Sequence, residues 1–126
     1  GIAAGIIEGC IQIMAESNIL TEHVNCYLDS TNISTQNNLN QLLTKTFELA
    51  KSIDNTTAML PILETRLNAS ELSLEAAQSA ALHAGAKGYL MRHAAQRRSR
   101  EALFVAIVTP AIKHLRQDIH HLRLSQ

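Results

Sequence analysis

Three sets of residues in this 126-residue chain are of types that do chemistry. The first is His114, Asp118 and His121, which share one helical face at i, i+4 and i+7, with residues 118–121 reading as a carboxylate-x-x-His half-motif. A di-metal helical centre needs that half-motif twice, plus further inward carboxylates, and the chain holds no second copy. In the heptad frame set out below, both histidines fall at position c, away from the seam, so no metal site is expected. Haem ligation by His or Met has no better support.

The second set is the basic cluster Arg92, His93, Arg97, Arg98 and Arg100. Binding a polyanion needs such charges on one face, aimed at phosphates. At 100° per residue they spread over more than half of the helix, and Glu101 offers Arg97 or Arg98 a partner. No aromatic is interleaved for base stacking. The four arginines stand as a candidate anion-binding cluster, and nucleic acid is not the expected partner. The third set is Cys10 and Cys26, sixteen residues apart. On one continuous helix that is about 160° of rotation, so a disulfide requires the segment to bend. No Gly-rich phosphate loop, nucleophile elbow or Cys–His pair is present, and a non-enzymatic protein without a cofactor is expected.

The elements that carry these residues are helical. Apolar residues make up 46% of the chain, which excludes wholesale disorder, while aromatics at 3% and only 2 Pro and 5 Gly argue against a strand-rich domain. No apolar run reaches the ~18 residues of a membrane span. With Leu39 at heptad position a, the a positions read Leu39, Thr46, Ile53, Leu60, Leu67, Leu74 and Ala81, and the d positions Leu42, Leu49, Thr56, Leu63, Ser70, Ala77 and Ala84. All but Thr46, Thr56 and Ser70 are Leu, Ile or Ala, and the phase does not slip. A second register places Val105, Ile112 and Ile119 at a, with Val108, Leu115 and Leu122 at d. Helices are expected over 2–29, 36–60, 62–84 and 89–124, forming an up-down three- or four-helix bundle or coiled coil in one domain.

Several positions interrupt this pattern. The polar run 29–38 holds Ser34 and Thr35 as N-cap candidates for the second helix. Pro61 either kinks a long helix or starts a new one, and the unbroken heptad phase favours a kink. Pro110 is expected to bend the last helix on its outer f position. Small residues at Ala77, Ala80, Ala81, Ala84 and Gly88, and again at Gly1, Gly5 and Gly9, mark places where helix axes can approach closely.

Formal neutrality conceals a division of charge. Residues 1–75 carry nine acids against three bases, a net of −6, and residues 76–126 carry two acids against eight bases, a net of +6. Both signs in one molecule favour packing of the halves on each other or on further copies. The expected function is a helical interaction and assembly module. Its interaction residues are the seam positions Leu60, Leu63, Leu67, Leu74, Val105, Val108, Ile112, Leu115, Ile119 and Leu122, and its partners are other helical chains, with self-association first. Those seams pair either between chains or within one antiparallel bundle. Two other readings compete: an extracytoplasmic ligand-sensing four-helix bundle, and a basic helix that binds nucleic acid or acidic lipid. A membrane enters only through the Gly/Ala/Ile-rich edge at 1–14 or through a longer parent chain, of which this sequence is expected to be a piece. The cytoplasm is favoured, and the N-x-S/T sequons at Asn32, Asn55 and Asn68 are the argument for export.

Overall fold

The computed structural model describes residues 1–51, 59–90, 93–108 and 110–125. Among them the chain is all-α, a bundle of helices with no strand: α1 (Ile2–Asn25), α2 (Asn32–Lys51), α3 (Met59–Ala84), α4 (Ala94–Ile107) and α5 (Ile112–Leu124), with a 3-10 turn at Gly85–Tyr89. The axis of the fold is α3, on which α1, α2, α4 and α5 all pack. α1 runs parallel to it, since Ser79 Oγ meets Met14 Sδ at 3.3 Å and Ser17 Oγ donates to the His83 carbonyl at 2.6 Å. α5 runs antiparallel, stapled by Arg116 to Glu71 at 3.3 Å and by Arg123 to Glu64 at 3.1 Å. Both pairs lie at the surface and contribute about 0–1 kcal/mol each.

The face that α3 buries is not its leucine seam. The buried residues are Thr65, Ser70, Ser73, Ala76, Ala77, Ser79, Ala80 and His83. Counted at 100° per residue from Ser73, the stripe Leu60–Leu67–Leu74 lies about 100° or more round the helix, and these leucines, with Leu63, are half-buried. The large apolar groups come from the neighbours instead: Ile6, Ile7, Cys10, Ile13 and Met14 of α1 and Leu39 of α2 fill against the alanines of α3 and Ala95 and Ala102 of α4. Buried hydroxyls on α3 are satisfied locally, Thr65 Oγ1 on the Pro61 carbonyl and Ser73 Oγ on the Ser70 carbonyl, both at 2.8 Å.

Helix ends differ from expectation for identifiable reasons. α2 begins at Asn32 rather than 36 because Thr31 and Ser34 form a reciprocal cap: Ser34 N–H donates to Thr31 Oγ1 at 3.1 Å, and Thr31 N–H to Ser34 Oγ at 2.9 Å. Pro61 is the third residue of α3, in the first turn, where its missing N–H has no intrahelical acceptor to lose. It stands at the start of a helix and not at a kink, and α2 returns antiparallel beside α3. The polar run 54–57 and the heptad residues Ile53 and Thr56 lie outside the described residues. Gly85, at φ 69°, ends α3 in the left-handed region that favours glycine. The helix expected over 89–124 is two helices: His93 caps α4, its Nδ1 accepting the Ala95 N–H at 3.0 Å, and the chain is extended at Val108 and Ala111 on either side of Pro110.

The first helix is also shorter than expected and is interrupted. Thr21 leaves helical geometry at φ −126°, ψ 19°. Asn25 is thereby brought back so that its Nδ2 donates to Ser17 Oγ, Asn18 Oδ1 and Thr21 Oγ1 at 3.0, 2.9 and 3.1 Å.

In urea unfolding, Leu115→Ala, at 1% exposure, is expected to cost about 2–5 kcal/mol. Leu63→Ala, half-buried, costs less, and Arg97→Ala on the exposed side of α4 stays within about 0.5 kcal/mol.

Candidate functional site

The principal concavity opens at the end of the bundle where α1 and α3 begin. It is a groove of about 820 Å³ walled by Ile2 and Ile6 of α1, Leu42 and Leu43 of α2, Thr65 and Ser70 of α3, and Phe104 and Val105 of α4, with Val108, Pro110 and Leu115 closing one side. Its origin is the break at Pro110. α4 stops at Ile107 and α5 lies on another face of α3, so that among the described residues no helix fills the end of the core below Ile6. Large apolar groups there remain open to solvent: Phe104 at 63%, Ile2 at 77% and Leu43 at 43%. Arg66 and Arg100 stand on its rim, and Glu101 on the wall is bonded to Arg98 at 3.0 Å.

The seam residues divide between inside and outside. Leu115 and Ile119 are buried against α3, so they hold this chain together and are closed to a partner. Val105 packs on the core, Ile112 and Leu122 are half-buried, and Val108 lies at the groove. Leu67 faces Ile119 in the cleft between α3 and α5, and Leu74 lines a shallow hollow with Gly88 and Leu103. The groove residues Ile2, Leu43 and Phe104 fall on neither heptad register. The signal that could have found them is the large size of Phe104 in a chain nearly without aromatics.

The basic cluster is not one surface. Arg97 is exposed and Arg100 lies at the groove, while Arg98 turns inward, half-buried, with its guanidinium flat on α1; Arg92 lies outside the described residues. Gly9 makes that seat, because a Cβ there would lie 2.6 Å from Arg98 Cζ. Gly5, at the same spacing, meets nothing within 4 Å. Of the three glycines, Gly9 alone is used for close approach.

His114, Asp118 and His121 are exposed on the outer side of α5, and among the described residues no group of three or more His, Cys, Asp or Glu could hold a metal ion. No described helix is long and apolar enough to cross a membrane. Cys10 is a buried free thiol and Cys26 an exposed one. Burial pushes the Cys10 thiol up from 9.0 to about 11, with Arg98 opposing and Glu101 assisting. Compared with known protein families, with curated proteins and with solved structures, the chain matches none.

Two expectations follow from the α1–α4 contact. Gly5→Ala gains helix propensity and stabilises the fold by about 0.5–1 kcal/mol. Gly9→Ala gains as much but displaces Arg98, so it is less favourable by about 1 kcal/mol, and this difference vanishes in an Arg98→Ala background when all four proteins are melted. The Cys10 thiol sets a pH window. The unfolded chain releases this proton near 9.0 and the folded chain only near 11, so the stability it contributes is full below pH 9.0 and is lost between 9.0 and about 11. Urea midpoints of wild type and Cys10→Ala should change relative to each other only in that window.

Proposed function

We propose that this chain is a non-enzymatic helical interaction module that assembles by burying apolar helix surface against other helical chains. The observation that carries this reading is the uncovered groove at the open end of the bundle. A chain of this size gains by closing such a surface, since buried apolar area contributes about 25 cal/mol per Å². Contiguous exposed apolar patches on small domains mark places where something else docks. The opposed charges of the two halves support self-association among the partners available, because acids lie along α1 and α3 and bases along α4 and α5.

The same groove volume suits a small apolar molecule, as in a ligand-sensing bundle. The two readings separate in one measurement. For an assembly module, the melting temperature and the light-scattering mass rise together across roughly two decades of protein concentration, and small apolar compounds leave both unchanged. A melting temperature that ignores concentration but climbs with added ligand would replace assembly with ligand sensing.

A further inference from the structure

The heptad register that opens on Val105 does not stop where its helix does. Val105, Val108, Ile112, Leu115, Ile119 and Leu122 keep one phase from α4 into α5, across a break where Val108 and Ala111 are extended. A shared phase would line these residues up on one side of a single rod. The closed chain does not use that alignment: Val105 packs on the main apolar cluster, while Leu115 and Ile119 are buried outside it, against α3. What holds α5 is correspondingly local. Ile119 meets Leu67 in the cleft between the two helices, and two ion pairs flank the contact, Arg116 with Glu71 at 3.3 Å and Arg123 with Glu64 at 3.1 Å. All of these contacts run between α5 and α3. The α3 of any further copy therefore offers α5 the same seat, with the same residues and the same charges.

We infer that α5 is exchanged between copies: it leaves the α3 of its own chain for the same seat on a second copy, which returns its own α5. This rests on the assembly reading above, naming a second copy as the partner and adding the α3–α5 seam as a surface distinct from the groove. Exchange conserves what holds α5. Two closed chains contain two ion pairs each at this seam, and the exchanged dimer contains the same four. The balance is therefore set at the junction of α4 and α5, whose residue 109 lies outside the described residues, and by protein concentration. In the dimer α5 can follow α4 in line, which is the arrangement the unbroken register specifies. Pro110, on the outer f position, costs that line a backbone hydrogen bond without entering the seam. A reciprocal exchange fills both seats, so it has two-fold symmetry and closes at two chains.

Charge reversal across the seam tests this. A chain with Arg116→Glu and Arg123→Glu sets acid against acid between its own α5 and α3, and a chain with Glu64→Arg and Glu71→Arg sets base against base. When the two are mixed, only exchange restores opposite charges. The acidic α5 of the first then lies on the basic α3 of the second, and the unaltered α5 of the second lies on the unaltered α3 of the first. In sedimentation velocity and native mass spectrometry each variant alone stays at the 13.8 kDa monomer, with circular dichroism as the check on folding. The mixture forms a dimer with one chain of each kind. It does so about tenfold more tightly than the wild type, because exchange between wild-type chains gains no ion pair. As an independent variant with every pair intact, Pro110→Ala raises the dimer share above that of the wild type. A mixture no more dimeric than its components, or a Pro110→Ala chain no more dimeric than wild type, overturns the exchange, and wild-type self-association in that case leaves the assembly reading standing. Wild type, variants and mixture all monomeric at every concentration overturn both.

Discussion

The bundle depends on how closely other helices can approach α3. A helix surrounded by four others cannot present leucines in every direction, because interaxial distances of about 8–10 Å are set by the side chains at the contact. α3 meets that limit with Ser73, Ala76, Ala77 and Ala80 toward the core, and the bulk comes from Ile7, Met14 and Leu39 on the partners. The hydroxyls of Thr65, Ser73 and Ser79 accept burial because each donates to a carbonyl of its own helix or of a loop, as Ser79 Oγ does to the Ser30 carbonyl at 3.1 Å. The buried His83 is held in the same manner, its Nδ1 2.7 Å from the Ser79 carbonyl. The groove lies at one end of this arrangement, where α1 and α3 begin.

The all-α class was legible in the sequence because a period near 3.6 persists over almost the whole chain. The identity of the inward face on α3 was not. The heptad template ranks Leu60, Leu67 and Leu74 above Ser73 and Ala80, and it does so correctly for a helix with one partner. With four partners the size limit overrides hydrophobicity, and the leucines move to the flank, shared between α5 and solvent. The small-residue stripe at 77, 80, 81, 84 and 88 carried the better information about α3, since all five are buried or packed on the core.

Boundaries were legible where a single side chain decides them and obscure where two act jointly. Pro110 marked a disturbance, but its position on the outer face of the register suggested a bend, while the chain is extended at Val108 and at Ala111 and the helix is fully broken. The reciprocal cap of Thr31 and Ser34 needed both hydroxyls in one frame, and Ser34 was therefore placed at the cap itself and not three residues inside. The elbow at Thr21 had no signal of its own, because it arises from Asn25 reaching back to Ser17 and Asn18. The groove had none either, since it is defined by a helix that turns away.

The attachment of α5 differs in kind from that of the other helices. Its buried residues Leu115 and Ile119 stand apart from the main apolar cluster, and its packing is on α3. An element bound along one side to a single neighbour separates at less cost than a helix enclosed by several, so, compared with α1, which packs on α2, α3 and α4, α5 is held more weakly. When it lifts, the flank of α3 bearing Leu60, Leu63 and Leu67 becomes a continuous oily ridge. The heptad seam written in the sequence is thus a latent surface, masked in the closed molecule by the thirteen residues of α5.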